Sequence, residues 1–328
     1  MSNLCDTPEL VEEATRSLSA AAYIIIDCEG KELGTTEGDI SLISLGTPNA
    51  EQIYLIDAVA LDRNTLKPVL DLISGEEKMK IVWDGRNDYS ELYHGLGAPI
   101  CNVLDLQIAD LMSRMMRGEN EERRIKRLAS RYLSHFAIGR MQCDGVHALN
   151  GLGVALQEHH IIGSSGKDAT VSKMHSTGQS ITWMDRPLPS TLISYASHDV
   201  QMIAALYKHF DDSGYLSNIP TLLKQSERYV SIHRDSGRPR RDDMYSSSNL
   251  LPLDVLWPAE DPAKCCDRCA RVLSMEHFPL GKKRKYVISY PTCKVCRILE
   301  IRQEKKQKAV EKAEMEERLG LKKKPVKG

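Results

Sequence analysis

The chain has 328 residues with 41% hydrophobic side chains, enough for one full-sized domain plus a smaller module. Aromatics contribute 5%, so the core must come from Leu, Ile, Val and Met, and nine unevenly spread cysteines exclude a disulfide scaffold. The net charge of −1, the lack of any apolar run near the ~20 residues of a membrane span, and an acidic N-terminus without a signal-peptide pattern point to an intracellular protein of nucleus or cytoplasm, with no membrane partner.

In chain order, residues 8–22 read as a helix with Pro8 in its first turn. Tyr23-Ile24-Ile25-Ile26 is a buried strand that ends at Asp27. Ile40–Leu45 and Gln52–Ile56 are strands joined by the turn Thr47-Pro48-Asn49. A helix over Leu66–Ile73 stops at Gly75, and Lys80–Trp83 is a fourth strand. Asp88–Leu96 is helical and closes at Gly97, with Pro99 beyond. Cys101–Leu104 forms a fifth strand and Leu106–Met116 a helix; further helices cover 119–133 and 190–210. Strands that are first adjacent and then alternate with helices indicate an α/β domain with a mixed sheet. The Gly/Ser-rich stretch 163–179 reads as a loop. The expected organisation is a body over 1–234, a Pro- and Ser-containing linker over 235–263, a cysteine module over 264–297 and a charged helical tail over 298–328.

The small net charge conceals an asymmetry. From Lys264 onward there are about 19 Lys plus Arg against about 8 Asp plus Glu, an excess of about +11 that leaves about −12 for the remainder. A basic tail on an acidic body suits attraction to a polyanion; a solvated helix explains the same run.

Asp27 and Glu29 flank Cys28 at the end of the first buried strand. In extended chain, residues two apart face the same side. Two adjacent carboxylates repel unless a cation lies between them, and a divalent ion with oxygen ligands explains the pair. Solvated loop carboxylates are the alternative. Tyr195 and Asp199 lie four apart on a strong helix and share one face. Cys28 reads as a small packing residue.

These segments resemble the ribonuclease D-like family of 3′-5′ exonucleases, of the class with four acids and a tyrosine. The string TWMDRPLPSTLISYASHD is similar to the family's third motif, through Trp183, Arg186, Pro187, Leu188, Pro189, Tyr195 and Asp199. The stretch WDGRNDYSELYHGLGAPICNVLDLQ is similar to the second, with Asp88 in the ligand place, Asp84 as its rival, and Asp105 in the following triplet. The opening IIIDCEG segment resembles the first. The resemblance covers residues from about 20 to about 215. With its GRND string and C-terminal cysteines, the chain looks most like fungal exonuclease-domain proteins.

The resemblance implies an RNase H-like mixed five-stranded sheet flanked by helices. It also implies two-metal hydrolysis of nucleic acid (RNA or single-stranded DNA) from the 3′ end. Asp27, Glu29, Asp88 and Asp199 would hold two Mg²⁺ or Mn²⁺, with Tyr195 orienting the water. Trp183 would line the substrate channel or, with aromatics so scarce, lie in the core; Arg186 would touch phosphate or anchor its helix, and Lys173 would match a basic substrate contact. The alternative is a weak or inactive nucleic-acid-binding adaptor on the same fold.

Cys266-x-x-Cys269 and Cys293-x-x-Cys296 have the spacing of two knuckles that share one structural zinc. Cys265 is a shifted register and His277 a substitute ligand. Lys282-Lys283-Arg284-Lys285-Tyr286 between the knuckles suits phosphate contact and stacking, and would suit an acidic protein partner as well. Lys322-Lys323-Lys324 weakly resembles a nuclear signal.

Overall fold

The three isoleucines before Asp27 are buried on both faces of a central strand, which is why this run is continuous rather than alternating. In the computed structural model, which describes residues 2–131, 142–161, 183–243, 248–283 and 286–319, the strand is longer than its apolar run. It continues from Tyr23 to Lys31 as β2, so Asp27 and Glu29 lie on the strand itself. The other strands of this sheet are β1 (Ser2–Cys5), β3 (Asp39–Gly46), β4 (Ile53–Asp57), β5 (Met79–Val82) and β6 (Val103–Asp105). Their order is β1-β4-β3-β2-β5-β6. β3 is antiparallel to β2 and β4, and the remaining pairings are parallel.

The mixed α/β architecture agrees with the sequence; the strand count is six rather than five. β1 is the addition, paired in parallel with β4 through Ser2–Cys5. Four residues, two of them polar, carry no readable period, and only backbone pairing with a preceding sheet edge makes them a strand.

The chain separates into two units, one of Met1–Glu119 with Leu149–Asp243, the other of Asn120–Ala148 with Met244–Gly328. In the first, helices α1 (Pro8–Ala20), α2 (Arg63–Ser74), α3 (Arg86–Leu96) and α4 (Leu106–Met116) follow the strands. Ile24, Ile26 and Cys28 of β2 join Val11, Leu18, Leu66, Val69, Tyr89 and Leu92 in one core. By the strand period, Ile25, Asp27 and Glu29 face the other way. That face receives a later helix, α7, described below.

The second unit contains α5 (Glu121–Arg131), and this corrects the expected body boundary of 1–234. Ile125, Leu128 and Ala129 form a short apolar stripe on α5 and pack with Phe278, Val295 and Ile298. The linker of 235–263 is corrected too. Leu250, Leu251, Leu253 and Val255 are buried, and Leu251 N donates to His147 O at 3.0 Å. Its N-terminal part belongs instead to the first unit, where Arg238 pairs with the buried Glu91 at 2.8 Å. Composition marked this stretch as a linker because its polar and Pro/Ser content hides the four apolar anchors. The loop expected over 163–179 lies outside the described residues.

Among the described residues the first unit has three more helices: α6 (Leu152–Glu158), α7 (Ser190–Asp212) and α8 (Ile219–Val230), the last not singled out from sequence. The second unit adds two small hairpins, β7 (Ala263–Cys265) with β8 (Val272–Ser274) and β9 (Leu280–Lys283) with β10 (Tyr286–Ser289). The helix α9 (Lys294–Arg318) starts inside the second cysteine pair. Among the described residues no helix is long and apolar enough to cross a membrane.

Candidate active site

β2 pairs with β5 only as far as Ile25 opposite Ile81, whereas its pairing with β3 continues through Asp27, Cys28 and Glu29. The carboxylates therefore stand where one neighbouring strand has ended, the crevice at which open α/β sheets place their ligands. A register shift after Glu29 marks a bulge. Gly30 is required there, since a Cβ would lie 2.2 Å from Asp39 O.

The helix α7 packs against β2, β3 and β4. It comes close because β3 ends in Gly46, where an added Cβ would lie 2.6 Å from Val200 Cγ1. This approach brings Asp199 to the strand. One ligand oxygen each from Asp27, Glu29 and Asp199 lies within 4.8 Å of the others. Asp27 Oδ2 is buried and has no hydrogen-bond partner among the described residues. An orphaned buried carboxylate oxygen is costly, and a divalent cation removes the cost. The donor set is oxygen only, which fits Mg²⁺ or Mn²⁺.

The electrostatics agree. Burial raises the Asp27 pKa well above the carboxylate range, and Glu29, Asp88 and Asp199 raise it further. Glu29 is raised in the same way, by burial first and then by Asp199 and Asp88. Tyr195, one turn before Asp199, hydrogen-bonds that carboxylate; burial and Asp199 raise its pKa, so the phenol stays protonated at neutral pH.

Asp88 sits in the first turn of α3 and is buried. Its Oδ1 accepts the Cys28 N–H at 2.9 Å, which ties α3 to the strand between Asp27 and Glu29. It stands outside the triad of Asp27, Glu29 and Asp199, yet near enough to act on Asp27 and Glu29 electrostatically. Its own pKa rises to about 7, chiefly through burial. The rival Asp84 is committed elsewhere, to Arg86 at 2.6 Å and the Tyr229 hydroxyl at 3.1 Å. Asp105 caps α4 and accepts the N–H groups of Asp84 and Gly85 at 3.1 and 2.9 Å, so its work is to hold the turn before α3.

Residues 3–144 match the family model described as a 3′-5′ exonuclease. Over this stretch the chain is similar to 3′-5′ exonucleases. The chain is similar in fold to RNase D of Trypanosoma brucei, at 22% identity and a TM-score of 0.56, over 83% of this chain and 93% of that one. The same protein in complex with RNA U12 gives 24% identity and a TM-score of 0.55, over 82% of each chain. Its GMP complex gives 21% and 0.56, over 83% and 82%. No curated protein matches the chain. The family match ends before Tyr195 and Asp199, and it is the fold that brings these two to Asp27 and Glu29.

Two expected substrate contacts, Trp183 and Arg186, make contacts within the protein. Trp183 is buried; its carbonyl accepts Ser41 Oγ at 2.5 Å, and its ring lies 6.3 Å from that of Tyr195. It stands beside the tyrosine. The Arg186 guanidinium forms a two-pronged pair with the buried Asp57, at 2.6 Å to each oxygen, and also donates to Ser41 Oγ and Trp183 O. These bonds anchor the helix start. Arg186→Ala should cost about 3 kcal/mol of stability by leaving Asp57 buried without its partner. A thermal melt checks this, and an unchanged melting temperature with a raised KM would restore the phosphate-contact reading. Lys173 lies outside the described residues.

The second unit carries the other cluster. Single sulfurs of Cys266, Cys269, Cys293 and Cys296 all lie within 4.8 Å of one another. A tetrahedral zinc–thiolate site has sulfurs about 3.8 Å apart, so the cluster is compatible with zinc. The Cys293 N–H points at Cys266 Sγ at 3.2 Å and the Cys296 N–H at Cys293 Sγ at 3.5 Å, as in knuckles that stabilise thiolates. Cys265 is exposed, and neither it nor His277 joins the group.

The residues that sequence reasoning missed are supports. Asp57, Glu91, Arg238 and Gly46 position the site without touching its acids. Only Gly46 left a signal, as the glycine that closes the strand after Leu45.

Proposed function

We propose that the chain is a 3′-5′ exonuclease that removes nucleotides from the 3′ end of single-stranded nucleic acid. Asp27, Glu29, Asp88 and Asp199 would hold two Mg²⁺ or Mn²⁺. The observation that carries this reading is the convergence of Glu29 and Asp199 on Asp27, whose Oδ2 is buried without a hydrogen-bond partner among the described residues. Such ions supply charge relief at a phosphodiester and a lowered pKa for water. Asp27 is central, being the carboxylate that feels the other three. Asp88 supports the strand through Cys28 N and adds charge from the α3 side. Tyr195, held protonated with its hydroxyl proton given to Asp199, would orient a water through its oxygen lone pair and is unsuited to be a strong base. The RNA U12 complex of the T. brucei protein supports nucleic acid as the substrate class. In the second unit, Cys266, Cys269, Cys293 and Cys296 would hold one structural zinc. The excess positive charge beyond Lys264 would help capture substrate or an acidic protein partner.

The deciding experiment incubates the full chain with 5′-labelled RNA and DNA oligomers plus Mg²⁺ or Mn²⁺. Stepwise shortening from the 3′ end is expected. Tight binding without shortening, with either ion and either polymer, would leave the adaptor reading in place. Tyr195→Phe should slow turnover roughly 10–100-fold and leave KM within about twofold, because it removes an orienting group rather than a binding one. An equal rate in that variant removes the tyrosine from the mechanism.

A further inference from the structure

β2 does not stop at the acids. It runs on to Lys31, about 7 Å beyond Glu29 at the rise of an extended strand. Lys31 opens onto a cavity of about 530 Å³ whose other walls are Glu32, Glu37, Arg240, Arg241 and Asp242. Arg240 and Arg241 come from the far end of the first unit, in the string Gly237-Arg238-Pro239-Arg240-Arg241.

That string is fastened to the loop after β2. Arg238 pairs with Glu91 at 2.8 Å and donates to Gly38 O at 3.1 Å. The Thr36 N–H donates to Pro239 O at 2.9 Å. The buried Glu91 also accepts the Gly34 N–H at 3.0 Å, and Ser90 Oγ donates to Gly34 O at 2.8 Å. One buried carboxylate thus holds both the loop and the arginine string. The next two residues, Arg240 and Arg241, are left largely solvent-exposed, at 77% and 76% of the side chain.

The carboxylates on the cavity wall are already occupied. Glu32 pairs with Arg241 at 2.7 Å, Asp242 with Arg240 at 3.3 Å, and Glu37 accepts the Thr36 hydroxyl at 2.7 Å. Exposed pairs of this kind contribute little, so a phosphate can replace the carboxylate at an arginine. The first unit lies in the acidic part of the chain, which repels a polyanion in general. Lys31, Arg240 and Arg241 offset Glu32, Glu37 and Asp242 on the cavity wall, so this spot at the end of the acid-bearing strand is formally neutral, and a phosphate reaches the arginines by displacing those carboxylates.

We propose that Lys31, Arg240 and Arg241 form a backbone-binding groove for the phosphates upstream of the scissile one in a single-stranded nucleic acid. The inference rests on the exonuclease reading for its direction, since the 3′ end must lie at Asp27 and Glu29. Phosphate contacts position the strand without reading its bases, so the groove gives affinity that grows with length and not with sequence.

The test compares a dinucleotide with a 12-mer on the full chain. Arg240→Ala with Arg241→Ala should raise KM for the 12-mer about tenfold and for the dinucleotide less than twofold. The slope of log affinity against log salt should fall by about 1.4, because two phosphates of a single strand are no longer neutralised. Arg240→Lys with Arg241→Lys should restore most of the 12-mer affinity. Glu32→Gln, which frees Arg241, should tighten 12-mer binding, an outcome that misfolding cannot produce. Fluorescence anisotropy with Ca²⁺ in place of Mg²⁺ reads binding without hydrolysis. Equal length dependence in wild type and the double Ala variant overturns the groove whether or not the enzyme is active. If the wild type hydrolyses nothing but the double variant still loses 12-mer binding, the groove stands and the exonuclease reading falls.

Discussion

Asp27→Ala is expected to lower the nuclease rate at least about 1000-fold and, without divalent ions, to raise the melting temperature of the protein. Both effects have one cause. Asp27 Oδ2 is buried without a hydrogen-bond partner among the described residues, and Glu29, Asp88 and Asp199 all push its pKa up beyond the effect of burial. The native metal-free site is therefore a concentration of repulsion that only function explains. Removing Asp27 relieves it and destroys the cation site in the same step. The pH dependence has a definite sign. A carboxyl whose pKa is higher folded than unfolded contributes stability that is full below its unfolded value, near 4. That contribution is lost as pH rises through the folded value, which for Asp88 is about 7. The metal-free protein should thus melt lower at pH 8 than at pH 5.5, by an amount on the order of a few kcal/mol. Mg²⁺ or Mn²⁺ should restore more stability at the higher pH. Differential scanning calorimetry with and without the ions measures both. An Asp27→Ala protein that keeps its nuclease rate sinks the catalytic assignment. One that melts well below the wild type in the absence of ions sinks the electrostatic account.

The second large effect concerns the cysteines. Full-length protein should contain one zinc per chain, and Cys266→Ala should lose it and unfold the second unit. Cys266, Cys293 and Cys296 are not a surface ornament; they are buried with Leu250, Leu253, Leu273, Phe278, Val295 and Ile298 in one small core. The helix α9 begins inside the Cys293–Cys296 knuckle, and β7 ends at Cys265 beside the first. Zinc held by such a core contributes folding free energy directly, with apparent values of about 10–16 kcal/mol in small zinc modules. Its loss should cut the helical circular-dichroism signal of α9 and expose the apolar residues around it. Metal analysis that finds no zinc in the purified chain, or unchanged zinc in Cys266→Ala, would refute the assignment. A truncation at Glu260 is a poor probe of this unit, because α5 and residues 248–255 would remain behind with their apolar faces uncovered.

Much of this was legible without coordinates. The sequence by itself determined the order of strands and helices from α1 to α4, the pairing of Asp27 with Glu29, the shared helix face of Tyr195 and Asp199, and the cysteine spacing. Each is a local pattern: a two-residue strand period, a four-residue helix period, or a knuckle of fixed length. The tertiary structure alone decided what depends on segments far apart in the chain. Asp88 rather than Asp84 reaches β2 because Asp84 is taken by Arg86 and Tyr229. Arg186 has the look of a phosphate contact in sequence, but Asp57, 129 residues away, occupies it. Residues 120–148 join the C-terminal unit because the sparse apolar stripe of α5 finds its partners beyond residue 250. The supposed linker divides between both units for the same reason. Charged and polar sequence reads as solvated until a buried partner is found, and no local period encodes the partner's position.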